Sequence, residues 1–329
     1  MGKHFNSVVK LKSFARQVRN TLAELLVVAM AVAFAAPAFA QIPVNQCGQV
    51  LSQPGYYVLS AAINNEICNI GPIVISASNV HLNTSGQSFA PVGSPALVID
   101  DGLSNILIDG GGFLGLATGV VIGASRNITL NNLSLNGSAN FGNGIAVELN
   151  GSKGVTVTNS TITAGGCGAS YPAIWGTVDN GLFSHNIITT GPQCSPIGGI
   201  SVDGTHNTIR DNTINPQNTL YGISTASDTV IVGNTITLTL PEGNFPASEM
   251  VGIDLTGHSN VVNGNTIQSN SSTNSYGILA AQGAIGNAIT NNTAEGNQFD
   301  LFESNGPPCV NIWRHNKFQT SGGAVACIK

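Results

Sequence analysis

Short apolar stretches, each followed by Asn, a small or polar residue and a further apolar residue, recur along the second half of the chain. The runs Asn207-Thr-Ile-Arg-Asp-Asn-Thr-Ile214, Asn260-Val-Val-Asn-Gly-Asn-Thr-Ile267 and Asn311-Ile-Trp-Arg-His-Asn-Lys-Phe318 show the pattern most plainly. The recurring asparagines are Asn132, Asn159, Asn186, Asn212, Asn234, Asn265, Asn292 and Asn316, spaced 22 to 31 residues apart. A period of that length marks a solenoid, in which each repeat hides its apolar face only against its neighbours. Turn-opening residues Asn79, Asn105, Asn127, Gly154, Gly181, Asn207, Thr229, Asn260, Asn287 and Asn311 each begin a coil. A second strand follows about 15 residues later, as in Gly144-Ile-Ala-Val147, Gly199-Ile-Ser-Val202 and Gly252-Ile-Asp-Leu255. The pattern predicts an all-β chain: a single-stranded right-handed parallel β-helix of roughly ten coils.

The repeat asparagines have two physical uses. A tight bend favours a residue that tolerates left-handed backbone and bonds its own main chain. Stacked amides also hydrogen-bond along the axis, so an asparagine ladder is expected. Open β edges invite aggregation, so both ends need covers. Residues 41–78, with a turn at Pro54-Gly55, are expected to form the N-terminal cap, 79–308 the coils, and 309–329 the C-terminal cap, plugged by Trp313 and Phe318. Leu238 to Met250, with Pro241, Glu242, Gly243 and Pro246, is the least regular segment and reads as a loop thrown out of its coil.

Residues 1–40 read as a secretory signal. Lys3, Lys10, Lys12, Arg16 and Arg19 form a basic start, an apolar run follows from Leu25 to Ala36, and Ala38-Phe39-Ala40 is a small-x-small cleavage pattern. Residues 41–329 then form one domain, secreted or periplasmic. Five of the 11 basic residues and one of the 16 acidic residues lie in that signal, which leaves 6 against 15 and a net charge of −9. Such a balance excludes nucleic acid and anionic membrane surfaces as partners, since both need clustered Lys and Arg. All 6 cysteines follow the signal, and export favours disulfides. Cys167 and Cys194 each stand 8 residues after a repeat asparagine, on consecutive coils, at a strand spacing of about 4.8 Å that a disulfide tolerates. Cys47–Cys68 and Cys309–Cys327 would close the two ends. Free thiols or metal ligation are the alternatives, and no CxxC spacing favours the second.

The opening Cys47-Gly…Pro54-Gly-Tyr-Tyr-Val-Leu59, the Asn-x-Ile-x-x-Asn-x-Ile repeats and the closing Asn291-Asn-Thr-Ala-Glu-Gly-Asn-Gln-Phe-Asp-Leu301…Cys309…Trp313…Cys327-Ile328 carry a resemblance. The chain resembles secreted bacterial right-handed parallel β-helix repeat proteins of the pectin-lyase-like superfamily with NosD-type repeats. That resemblance implies the fold and a carbohydrate-facing role, because the superfamily includes polysaccharide lyases, hydrolases and mannuronan epimerases. Fold alone does not fix function. Gly252-Ile-Asp-Leu-Thr-Gly-His258 is distantly similar to the Asp-Pro-His stretch of alginate epimerases but lacks its proline.

The candidate chemistry lies on the outward row of the second strand. Counted from the apolar residue of each coil, Glu148 and Asp203 share a position two coils apart, with Thr177 between them. That places the carboxylates roughly 9 to 10 Å apart, near the upper edge for inverting glycoside hydrolysis. They are the candidate acid–base pair. Trp175 is the candidate platform for a sugar ring, and Asp254 lies further along the same strand. Lys153, Asp179, His206 and His258 occupy the turn that follows and complete the candidate binding set. Carboxylates at strand ends also commonly just satisfy turns. The expected partner is a polysaccharide or cell-surface glycan, the expected state a monomer. No cofactor is required, with Ca²⁺ the metal such a patch would take. Alternatives are a non-catalytic structural or adhesive exoprotein, and a Ca²⁺-assisted polyuronide lyase or C5-epimerase. Thr213, Thr235, Thr266 and Thr293 should form a further outward row, a possible water-ordering array.

Overall fold

Ile174, Ile200, Ile223, Ile253 and Ile278 stand in directly paired positions on five successive strands, and none is exposed to solvent. This column is the core of the molecule in miniature. The structure, a computed structural model, describes residues 40–329 apart from 64–70, 91–94, 116–117, 139–143, 166–170, 191–197, 217–219, 240–248 and 271–272. Residues Gln41–Lys329 form one compact unit. Along its strands buried aliphatic residues alternate with outward polar ones, the two-residue period of a half-buried strand. Parallel strands joined by crossovers of this kind wind right-handed.

Each full coil contributes three strands to three faces. The first face contains Ile174–Asp179, Ile200–Asp203, Tyr221–Thr225, Met250–Leu255, Ser275–Ala280 and Phe299–Glu303. The second contains Arg126–Asn131, Leu182–Ser184, Thr208–Arg210, Val230–Val232, Val261–Asn263, Ala288–Thr290 and Ile312–Arg314. The third runs from Ser88–Phe89 to Thr293–Glu295. The strand Ile145–Thr158 runs 14 residues through the corner between the first two faces, which therefore form one continuous sheet of 23 strands. The third face is a separate sheet whose nine strands count the full coils among the described residues, slightly fewer than the ten openings in the sequence.

The corner between the second and third faces is where the repeat asparagines act. Asn186, Asn212, Asn234, Asn265 and Asn292 are buried, and each Nδ2 donates to Oδ1 of the asparagine one coil on, at 2.9 to 3.0 Å. The second Nδ2 proton of each goes to a core carbonyl: Val157, Phe183, Ile209, Ile231 and Val262 in turn. Each Oδ1 from Asn212 onward also accepts the backbone N–H of the preceding asparagine. Every polar atom of these amides is thus paired, which is what makes them tolerable in a core.

Two sequence expectations need correction here. Asn132 and Asn159 are exposed, with φ of 54° and 53°, and stand one residue before the stacked column. The column positions on their coils are Leu133 and Ser160, and Ser160 Oγ accepts the Leu133 N–H while its own N–H reaches Asn186 Oδ1. Nor do the stacked asparagines make the bend. The left-handed residue is the preceding one: His185, Asp211, Gly233, Gly264, Asn291 and His315 all have φ between 55° and 66°. Bending and stacking are separate jobs at adjacent positions.

The corner between the first and second faces repeats the division, with a change midway. Asn79, Asn105 and Asn127 are left-handed, at φ 55° to 60°, and bond one another through exposed side chains. The position after them holds aliphatic Val80, Ile106, Ile128 and Val155. From Gly181 onward that column turns polar, through Asn207, Thr229, Asn260, Asn287 and Asn311. Asn260 and Asn287 again pass Nδ2 to the next Oδ1. The openings read from the sequence therefore mix two adjacent positions.

Glu303 ends this second column. It is 1% exposed; Oε1 accepts the N–H and Nδ2 of Asn305, and Oε2 accepts Asn311 Nδ2 and Trp313 Nε1, at 2.7 to 3.0 Å. Trp313 is buried and Phe318 packs partly against the core, as a plug requires. Cys309 and Cys327 are joined. Cys47 is disulfide-bonded, while Cys68, Cys167 and Cys194 lie outside the described residues, as does most of the loop expected from Leu238 to Met250.

Candidate functional site

The outward row of the first face is set by a column of small residues one turn inward. Gly119, Ala146, Ala173, Gly199, Gly222, Gly252 and Gly277 pair in sequence along the coils. A Cβ on Gly222 would lie 2.6 Å from Ile236 and 2.7 Å from the Gly252 carbonyl, so nothing larger than Gly fits at that coil. Two residues beyond this column the side chains emerge: Val121, Glu148, Trp175, Ser201, Ser224, Asp254, Leu279 and Phe302, each paired with the next.

This register corrects the expected pair. Glu148 stands opposite Trp175, whereas Asp203 stands opposite Thr177, which pairs in turn with Asn150. The two carboxylates are offset by two coils and two residues, a diagonal of about 12 Å. That exceeds the roughly 6.5 to 9.5 Å over which two carboxyls flank a glycosidic bond and a water. The misreading has a physical origin: Ala146, not Gly144, fills the small-residue position on that coil.

Asp254 falls in the row of Glu148 and Trp175, and its surroundings are the most unusual on the face. Its Oδ1 is buried and has no hydrogen-bond partner among the described residues. Burial first, and then the charge of Glu249, push its carboxyl from the ordinary 3.8 up to about 6. Tyr221, whose hydroxyl is hydrogen-bonded to Ser201, has a raised pKa from burial and from the charges of Asp254 and Asp203. Tyr276 is raised as well, by burial and then Glu249. Tyr276, Phe299 and Phe302 form a cluster with ring centroids 5.1 to 5.7 Å apart. At the other end of the row Tyr171 and Trp175 lie 4.7 Å apart. Two aromatic platforms thus flank a stretch of hydroxyls and carboxyls about five coils long, on the order of 24 Å.

A carboxyl held near pKa 6 in the fold and 3.8 when unfolded binds more protons in the native state between those values. Its contribution to stability therefore falls as pH rises through that window. Asp254→Asn is expected to stabilise the protein at pH 7 by about 2 to 3 kcal/mol and to flatten the decline between roughly pH 4 and 6. Urea melts at several pH values read both effects, and an unchanged slope would contradict the assignment.

The remaining predicted residues lie at the corner beyond this face. Lys153 Nζ is 3.8 Å from Asp179 Oδ2, and Asp179 Oδ1 accepts both the N–H and hydroxyl of Thr205. His206 and His258 are exposed, and each ring bonds its own neighbour, Thr205 and Ser259. Among the described residues neither histidine pairs with a carboxylate. Tyr171, Tyr221 and Tyr276 are the tyrosines that the sequence offers a binding module beside Trp175, whereas Glu249, Phe299 and Phe302 escaped the sequence reading; the small–aliphatic–outward frame of Gly277-Ile-Leu279 was the available signal for the row they flank.

Fold and strip together define a right-handed parallel β-helix protein with an elongated outward strip of aromatic, hydroxyl and carboxyl groups. The family model described as "Periplasmic copper-binding protein (NosD)" matches residues 104–324, which is 221 of the 329 residues, and the chain belongs to that family. It is a periplasmic or secreted protein, and no helix among the described residues is long and apolar enough to cross a membrane. No curated protein matches the sequence. Among solved structures, the Dettilon tailspike protein (gp208) is similar over 78% of this chain and 59% of its own, at 14% identity and a TM-score of 0.54. The chain thus spans 59% of the tailspike's length. DFA-IIIase from Arthrobacter chlorophenolicus A6, without its lid, aligns over 85% and 87% of the two chains at 12% identity and a TM-score of 0.41. The A-module of mannuronan C-5 epimerase AlgE4 from Azotobacter vinelandii aligns over 86% of each at 11% identity and 0.38. At 14% identity and a TM-score of 0.54 the tailspike likeness speaks for the fold alone and says nothing of activity.

The family description names copper, a metal that takes thiolate, thioether and imidazole ligands. Among the described residues no three His, Cys, Asp or Glu groups cluster, no cysteine is free, and Met250 is 1% exposed in the core. The donors described do not fit a copper centre. The same set offers Ca²⁺ no cluster of carboxylates.

Proposed function

We propose that the outward strip of the first face binds an extended glycan chain in the periplasm or at the cell surface. The observation that carries this reading is the buried, unpartnered Oδ1 of Asp254 in the middle of a row with an aromatic platform at each end. A buried acceptor without a partner costs about 1 to 3 kcal/mol, a cost removed when a ligand hydroxyl donates to it. Tyr and Trp rings supply large apolar faces with polar edges, suited to the apolar faces of sugars. A strip about 24 Å long suits a chain rather than a single small molecule. In this reading Asp254, protonated in part near pH 6, replaces the Glu148–Asp203 pair as the group that exchanges a proton with the sugar. Glu148 and Asp203 remain at the strip's edges as hydrogen-bond acceptors.

The exported protein should retain at least one polysaccharide from a panel of neutral and acidic glycans, with Trp175→Ala weakening retention at least about tenfold. New reducing ends mark hydrolysis, absorbance of unsaturated uronides marks elimination, and neither marks a binding or adhesive protein. Retention of nothing on the panel, or full retention by Trp175→Ala and Asp254→Asn alike, rules the strip out as the binding surface.

A further inference from the structure

Arg126 and Lys153 are two of only six basic residues after position 40, against 15 acidic ones, yet they stand in directly paired positions on adjacent strands. Like charges opposite one another across a parallel pair are destabilising. In so acidic a chain each would be expected to face a carboxylate. Lys153 has a distant one, Asp179 at 3.8 Å. Arg126 makes no ion pair among the described residues.

The two cations line a cavity of about 200 Å³, together with Gly102, Leu103, Ala124, Ser125 and Gly151. The cavity exists because the long strand Ile145–Thr158 is bulged: its register shifts between Asn150 and Ser152, and Gly151 takes φ 75° with open space where a Cβ would be. Bulges of this sort commonly re-aim chains beside functional sites. The one other polar side chain of the lining, Ser125, is already committed. Ser125 Oγ accepts the Leu103 N–H and donates to the Asp100 carbonyl, and Asp101 Oδ1 accepts the Ala124 N–H at 2.7 Å. The donors left over are the Arg126 guanidinium and the ammonium of Lys153.

We infer that this corner is a binding site for an oxyanion group: a carboxylate, sulfate or phosphate. Small-molecule sites usually occupy roughly 300 to 1,000 Å³, so the cavity takes a single anionic group rather than a whole sugar chain. A guanidinium presents its donors in a planar fork suited to two oxygens of such a group, and the ammonium adds a point charge from the next strand. An anion between them also relieves the repulsion that the paired cations otherwise impose. The site is distinct from the aromatic strip and does not rest on the glycan reading.

The test is calorimetry on the exported protein with sodium sulfate, sodium phosphate and sodium glucuronate, at an ionic strength matched with sodium chloride. Saturable heat from all three supports a general oxyanion site; saturable heat from glucuronate alone supports a site for sugar acids. In both cases Arg126→Gln and Lys153→Gln should each weaken binding at least about tenfold, and Trp175→Ala should leave it unchanged. Both substitutions are at exposed side chains, and far-UV spectra matching the parent confirm the fold. No saturable heat from any of the three anions, or parental affinity in Arg126→Gln, overturns the proposal.

Discussion

Asn234→Ala is expected to remove about 3 to 5 kcal/mol of stability, a large share of the 5 to 15 kcal/mol typical of folded chains. The Asn234 side chain donates to the Ile209 carbonyl and Asn265 Oδ1, and accepts from the N–H and Nδ2 of Asn212. Truncation strands two donors of Asn212 and takes one donor each from the Ile209 carbonyl and Asn265 Oδ1, in a site where Asn234 itself is 1% exposed. In so buried a column each orphan costs about 1 to 3 kcal/mol. Because coils touch only their neighbours, the loss falls on one junction, and urea unfolding should broaden as well as shift. Asn132→Gly is the control. Asn132 is exposed at φ 54° and outside the stacked column, so Gly is accepted within a few tenths of a kcal/mol. Equal losses at the two positions would show that bending and stacking are not the separate jobs described above.

Glu303→Gln should cost about 2 to 4 kcal/mol while leaving shape and volume unchanged. The four donors around the carboxylate are Asn305 N–H and Nδ2, Asn311 Nδ2 and Trp313 Nε1, and it makes no ion pair among the described residues. A carboxylate accepts at both oxygens; an amide accepts at one and presents N–H at the other. Whichever way the glutamine turns, a donor meets two donors, and hydrogen bonds to a charged acceptor are lost at the same time. Trp313 reports the outcome, since its indole N–H is one of the four. The chain has 2 tryptophans, so a Trp175→Phe background isolates its fluorescence. A shifted emission together with a lower urea midpoint is the expected result; a parental midpoint would mean the carboxylate does not end the column.

Much of the architecture was legible because a solenoid writes its period into the chain. The register was harder. Asparagine is chosen at two adjacent positions for unrelated reasons, left-handed backbone at Asn132 and Asn159, amide stacking at Asn186 and beyond. Residue type alone does not separate those reasons, and a slip of one residue followed. On the first face the slip was two residues, since Ala146 does at one coil what glycine does at Gly199 and Gly222. That slip moved Glu148 into line with Asp203 and hid its true neighbours, Trp175 and, further along, Asp254. Buried environment is invisible in composition, so the unpartnered oxygen of Asp254 had no signature in the sequence. Arg126 was overlooked for a similar reason: only the bulge at Gly151 sets it over a cavity beside Lys153.

The change of column midway along the molecule has a further consequence. From Asn186 to Asn316 each coil presents to the next the same amide donor that it receives from the one before. Junctions in that half are interchangeable, so the length of the molecule there is free to drift by whole units without new chemistry at any seam. The aliphatic half has no such common coupling, because each of its seams is fitted to particular side-chain shapes. Growth and shortening over evolutionary time should therefore concentrate toward the C-terminal half, and the outward strip of the first face lengthens or contracts with it.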